Sequence, residues 1–67
     1  MDPQQNNPQP PPWPAVGDRV VLTEGPFVAT EGEVVNVDPE TGEVTVELRF
    51  WGRPVPVIVE RNSIRRA

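Results

Sequence analysis

Two short stretches decide the fold of this 67-residue chain: residues 16–27, VGDRVVLTEGPF, and residues 50–54, FWGRP. In the first, a Gly-Asp turn precedes a short apolar strand, and a Gly-Pro corner ends that strand and carries Phe27. In the second, an aromatic-Gly-Arg corner separates two Val-rich runs. Large side chains on turns cannot all enter the core of so small a domain, so the two corners indicate a surface that binds a partner.

The composition excludes most catalytic and metal-dependent functions. The chain has no cysteine and no histidine, which removes disulfides, thiolate or imidazole metal sites and nucleophiles activated by histidine. Acid pairs such as Glu31 with Glu33 have no nucleophile beside them in the sequence. We therefore expect no enzymatic activity, no cofactor and no metal site.

The charge and hydropathy pattern limits the classes of partner and the cellular locations that we expect. Six arginines against ten acidic residues give a net charge of −4, which disfavours nucleic acid as the main partner. No apolar run is long enough to span a membrane, and the N-terminus lacks the regions of a signal peptide. We expect a cytoplasmic, monomeric protein that does not contact membranes.

Residues 1–14, MDPQQNNPQPPPWP, differ in kind from the rest of the chain. They hold six of the ten prolines and no aliphatic side chain except that of Met1. This composition predicts a disordered tail rich in Pro, Gln and Asn, followed by one folded domain over residues 15–67. Two interpretations of Trp13 stay open: an aromatic that rests on the domain, which we favour, or part of a proline-rich ligand for an aromatic groove.

After the tail, short Val-rich runs separated by turn residues predict a small all-β domain. Residues 33–38 break strict alternation and predict a bulge, and residues 38–42, DPETG, predict a tight turn. Residues 44–51 alternate clearly between apolar and other side chains. Two prolines on one side of the run over residues 54–59 predict an edge strand. Together these patterns predict an SH3-like barrel of four or five short strands.

The folded region closely resembles the C-terminal KOW domain of the bacterial transcription factor NusG. The likeness rests on the two corners at fixed separation and on the strand pattern between them. The matching positions, without a gap, are residues 16–20, 24–27, Gly32, Val34, 37–38, 51–53, 56–57 and Ile64. The likeness covers the barrel and none of the tail. The resemblance implies a five-stranded, SH3-like barrel of the KOW or Tudor-like kind that recruits other proteins in transcription elongation, termination and antitermination. The family's usual partners are the small-subunit ribosomal protein NusE and the termination factor Rho.

The resemblance also implies which side chains bind the partner. Carried over residue by residue, they lie in the loop between the first two strands and in the second corner: Phe27, Thr30, Phe50, Trp51, Gly52 and Arg53. Thr30 departs from many relatives, which have a phenylalanine there, so we expect a smaller apolar contact from this loop. Trp51 is either a cap on the barrel end or a binding hot spot, and the resemblance favours the hot spot. Arg53 is a solvated turn residue, a partner of Glu47, or an anchor for an oxygen of the partner.

The C-terminus carries the one basic cluster of the sequence, Arg61, Arg65 and Arg66. We favour its interpretation as solvent-facing charge. The alternative is an RNA-contacting or ribosome-contacting patch, as in KOW domains of ribosomal proteins. Three arginines neutralise at most about three phosphates, so RNA binding through them would be weak and sensitive to salt.

Overall fold

The computed structural model describes residues 13–67 and contains five antiparallel strands in one sheet. In chain order these are β1 (Arg19–Leu22), β2 (Glu31–Val37), β3 (Glu43–Phe50), β4 (Arg53–Glu60) and β5 (Ile64–Arg66), with a single 3-10 turn over Arg61–Ser63. The predicted five-stranded all-β fold is confirmed. Most of the predicted tail lies outside the described residues.

The order of strands across the sheet is β4-β3-β2-β1-β5. Alternate side chains of β1 and β3 point inward, as the period of two along a strand requires. Together with β2 and β5 these strands form a core of seven buried apolar side chains: Val20, Leu22, Val34, Val44, Val46, Leu48 and Ile64. The core contains no aromatic ring, because the large rings lie at its margin.

The bulge predicted in β2 is present. Val34 is opposite Val46 and Asn36 is opposite Thr45, so Val35 is the extra residue between two consecutive pairs. Its side chain is 40% exposed. A bulge bends its strand, and the bend fits the curvature that a small barrel needs.

Gly32 allows β2 and β3 to pack closely. A Cβ atom at this position would lie 2.6 Å from Cγ1 of Val46 and 2.7 Å from the carbonyl oxygen of Glu47. Both distances are far below van der Waals contact, and one of the obstructing atoms belongs to the backbone, which cannot rotate away. Only glycine fits here, for reasons of space.

β4 is an edge strand, as its prolines predict. Phe50 and Arg53 are paired across a two-residue turn, and such a closing pair is hydrogen-bonded. Because hydrogen-bonded and non-hydrogen-bonded pairs alternate along an antiparallel ladder, the backbone nitrogens of Pro54 and Pro56 face away from β3. The missing N–H groups therefore remove no bond between β3 and β4.

The barrel closes on the side of β4 by packing of side chains. Among residues 13–67, β4 has only β3 as a hydrogen-bonded neighbour, and β5 has only β1. Val57 and Val59 of β4 are half-buried and pack against the core. The outer edge of β4 is consequently left without a strand partner in the described part of the chain.

The predicted turn between β2 and β3 is organised by Asp38. Its carboxylate Oδ1 accepts the backbone N–H of Glu40 at 2.9 Å and that of Thr41 at 3.3 Å. The backbone N–H of Gly42, which has φ of 78°, donates to the carbonyl oxygen of Asp38 at 2.9 Å. The two N–H groups that point at the carboxylate lower the pKa of Asp38 below its ordinary value.

Replacing Gly32 with alanine should destabilise the fold by about 2 kcal/mol, because the added methyl group overpacks the contact with β3. The measurement is the free energy of unfolding in urea. Glu33→Ala is the matched control, since this neighbouring side chain is exposed, and it should change stability little. Equal stability of the two variants would contradict the close approach.

Asp38→Asn should lower the free energy of unfolding by an amount that depends on pH. The folded state lowers the pKa of Asp38, so the carboxylate stabilises the fold at every pH above the ordinary pKa of an aspartate in the unfolded chain. This contribution is lost as the pH falls through the lower folded pKa. Urea unfolding of both proteins should show a wild-type advantage at neutral pH that disappears in strong acid. An advantage that is constant with pH would show that the charge is unimportant.

Candidate functional site

Three aromatic side chains form a row at one end of the barrel, which we call the aromatic corner: Phe27, Phe50 and Trp51. The ring centroids of Phe27 and Phe50 are 5.5 Å apart, and those of Phe50 and Trp51 are 6.3 Å apart. The two phenylalanines are half-buried and pack against the core, whereas Trp51 is 98% exposed. An indole so exposed cannot cap the barrel end, which removes that interpretation of Trp51.

The backbone of the hairpin between β3 and β4 forces Trp51 outward. Trp51 has φ of 51° and Gly52 has φ of 79°, so both loop residues are left-handed. This is the signature of a type I′ turn, which fits the twist of a two-residue hairpin. Glycine adopts such a φ freely, but tryptophan does so only at a cost in conformational energy. Strain that holds an apolar ring in solvent is a feature of binding sites.

Arg49 supports this turn, and reasoning from the sequence missed it. Its Nη1 lies 3.5 Å from the carbonyl oxygen of Gly52, at the limit of hydrogen-bond distance, and its Nη2 lies 3.8 Å from Oε1 of Glu47. Glu47 is therefore paired with Arg49, and the suggested pair with Arg53 is not formed. Both arginines are exposed near Trp51. The signal in the sequence was the alternation that places residues 47 and 49 on the same outer face of β3.

The loop between β1 and β2 presents a different side chain from the one expected. Thr30 is half-buried, and its backbone N–H donates to the carbonyl oxygen of Phe27 at 3.1 Å. The preceding Ala29 has φ of 71° and donates its N–H to the carbonyl oxygen of Leu22 at 2.7 Å. Val28, which lies between Phe27 and Ala29, is 54% exposed. The apolar contribution of this loop to the surface comes from Phe27 and Val28 more than from Thr30.

An open groove of about 490 Å³ extends from the aromatic corner along β4. One wall comes from the loop after β1 and the other from β4, with Leu22, Pro26, Phe27, Val57, Ile58 and Val59 among the lining residues. Ile58 is 67% exposed, and its pairing with Thr45 turns its backbone N–H and carbonyl groups away from β3. Phe27 belongs both to the corner and to the groove, so the two surfaces meet at this ring.

The basic cluster lies at the opposite end of the barrel, against Trp13. The Nη2 of Arg61 donates to the carbonyl oxygen of Trp13 at 2.8 Å, and the guanidinium carbon of Arg66 lies 4.3 Å from the centroid of the Trp13 ring. Arg65 donates from Nη1 to the carbonyl oxygen of Arg66 at 3.3 Å. Trp13 is half-buried and the following Pro14 is buried. These contacts agree with the interpretation of Trp13 as an aromatic that rests on the domain.

The described residues offer surfaces for binding but no polar centre for a ligand. Within residues 13–67 there is no group of three or more side chains that could hold a metal ion. In the same part of the chain, no buried side-chain nitrogen or oxygen lacks a hydrogen-bond partner. No helix among these residues is long and apolar enough to cross a membrane. The aromatic corner is therefore the strongest candidate site.

Comparison with known proteins gives a consistent result. Residues 16–47 match the family model described as KOW motif. The chain is 41% identical over 51 residues to the transcription termination/antitermination protein NusG of Liberibacter asiaticus, a match that covers 76% of this chain and 73% of that protein. It is 38% identical over 50 residues to NusG of Pasteurella multocida, of which it spans 27%. A structure of Thermotoga maritima NusG is similar with a TM-score of 0.75 at 29% identity, covering 87% of this chain and 33% of the other.

Replacing Trp51 with asparagine should leave the fold intact and raise the free energy of unfolding by up to about 1 kcal/mol. Asparagine tolerates positive φ, and Asn-Gly is the preferred pair in a type I′ turn. Urea unfolding of the variant and the wild type measures the difference. A clear loss of stability would mean that the exposed indole packs on the barrel.

Proposed function

The chain belongs to the NusG family, and on this basis we propose that it is a recruitment module that binds a NusE-type ribosomal protein or the termination factor Rho through the aromatic corner. The observation that carries the proposal is the 98% exposure of Trp51 on a left-handed turn. The module acts in transcription elongation, termination or antitermination. It works in the cytoplasm by binding and without catalysis.

The corner has the composition of a protein-binding hot spot. Tryptophan and arginine are enriched among the residues that dominate interfaces, and they act best when the partner excludes water from them. Phe27 and Phe50 hold the surface beside Trp51 in position, because both rings are packed against the core. Arg53 is placed to meet a carboxylate or carbonyl oxygen at the rim.

The site residues that we propose for the partner are those implied by the resemblance, with two additions supported by the geometry. Thr30 and Gly52 shape the two loops rather than supply contact area. Arg49 and Val28 join the set because one supports the turn and the other is exposed beside Phe27.

The outer edge of β4 supports a monomeric state. An edge strand with free N–H groups invites pairing with a second copy of the same chain. Pro54 and Pro56 supply no donors on this edge, so a second copy could form a ladder only over the end that contains Ile58 and Glu60. We propose that the chain works as a single copy.

Trp51→Asn should weaken binding to NusE or Rho by about 2 kcal/mol, roughly 30-fold in Kd, because it removes the anchor while keeping the turn. Titration calorimetry or chemical-shift titration with each purified partner provides the measurement. Val16→Ala is the matched control, because this exposed side chain lines a groove near the turn between β2 and β3, far from the corner.

The outcomes separate the proposal from its competitors. Binding to one partner that is lost in Trp51→Asn and retained in Val16→Ala supports the site and identifies the partner. Binding that both variants retain would place the interface elsewhere on the barrel. Absence of binding to NusE and to Rho by the wild type would overturn the proposed function.

A further inference from the structure

We propose that Trp13 is an intramolecular plug on the arginine cluster of Arg61, Arg65 and Arg66, where it contacts Arg61 and Arg66, and that single-stranded RNA displaces it. The inference concerns the end of the barrel opposite the aromatic corner. It does not depend on the recruitment function.

The arginine cluster is occupied by the chain's own indole. Trp13 supplies a flat ring to the guanidinium of Arg66 at 4.3 Å and a carbonyl oxygen to Arg61 at 2.8 Å. The ion pairs found among residues 13–67 involve other arginines, Arg19 with Glu31 and Arg49 with Glu47. At Arg61 and Arg66, Trp13 thus occupies the position that a glutamate carboxylate occupies beside Arg19 and Arg49.

The two groups that Trp13 supplies resemble those of a nucleotide. A nucleobase stacks on a guanidinium plane as an indole does, and a phosphate oxygen accepts a hydrogen bond from arginine more strongly than a carbonyl oxygen. An unpaired strand is required, because bases inside a duplex are already stacked. An acidic peptide without aromatic residues would supply oxygens to Arg61 but no ring to Arg66, whereas every nucleotide carries both a ring and a phosphate.

The plug can leave without unfolding the barrel. The contacts of Trp13 with Arg61 and Arg66 are exposed, and exposed contacts of this kind are weak. The half-buried ring also packs against the margin of the core, so its release gives up this apolar contact but exposes none of the strands. The chain stays attached just beyond the indole, because Pro14 is buried and the N–H of Ala15 donates to the Asp18 carboxylate at 2.9 Å. Release of the ring therefore frees the arginines while the rest of the segment remains in place.

The plug explains how an acidic chain can carry a basic site without binding RNA indiscriminately. The net charge of −4 opposes association with phosphates, and the plug adds competition at the cluster itself. RNA should bind weakly, with strong salt dependence, and more tightly once the indole is absent.

The first test compares the wild type with Trp13→Ala in binding a labelled oligoadenylate of about eight nucleotides at low ionic strength. Fluorescence anisotropy should show binding about threefold tighter for the variant, the effect of removing an exposed stacking competitor. Adding Arg66→Ala to the variant should abolish the gain. Val35→Ala, which shortens an exposed apolar side chain outside both proposed sites, should bind like the wild type.

The second test uses the unaltered protein and so does not depend on how the variant folds. The indole N–H signals of Trp13 and Trp51, assigned with Trp51→Asn, are followed by NMR as oligoadenylate is added. The Trp13 signal should move while that of Trp51 stays. An abasic phosphate chain of the same length, or polyglutamate, should move it much less.

Three results would overturn the proposal. These are equal RNA affinity of the wild type and Trp13→Ala, no RNA binding by either protein at low salt, and equal displacement of Trp13 by the abasic chain or by polyglutamate.

Discussion

The close approach of β2 to β3 at Gly32 is the contact on which the rest of the molecule depends. A chain without cysteine has no disulfide to stabilise it, and its core consists of seven small or medium apolar side chains. Such a core stabilises the fold only if it is tightly packed. With no side chain at Gly32, Val46 and Leu48 can fill the centre of the barrel. The bulge at Val35 then bends β2 around them.

The register of β3 in this core also places the aromatic corner. Once Val46 and Leu48 are buried, Phe50 must lie at the margin of the core, and the two-residue turn that follows projects Trp51 into solvent. β3 has eight residues, about 27 Å in extended form, so the corner is far from Trp13 at the other end. Two separate surfaces can therefore act without competing for the same space.

The candidate site was predictable in outline but not in detail. Trp51 stood out in the sequence because an aromatic before Gly in a turn has no place in a small core. The ion pairs around Trp51 could not be predicted in the same way, since Arg49 and not Arg53 is paired with Glu47. The alternation in β3 placed Arg49 on the correct face, but a pattern of faces does not tell which of two neighbouring guanidinium groups reaches a carboxylate.

The strands, the bulge, the turns and the edge position of β4 could be predicted from the amino-acid sequence, because each depends on local properties: a period of two, positive φ at glycine, and the missing N–H of proline. The contacts between distant residues, such as Phe27 with Phe50 and Trp13 with Arg66, could not be predicted and were found in the folded molecule. These contacts arise when the sheet curls and brings its loops together. The geometry of that closure follows from the packing of the whole core, which no local pattern encodes.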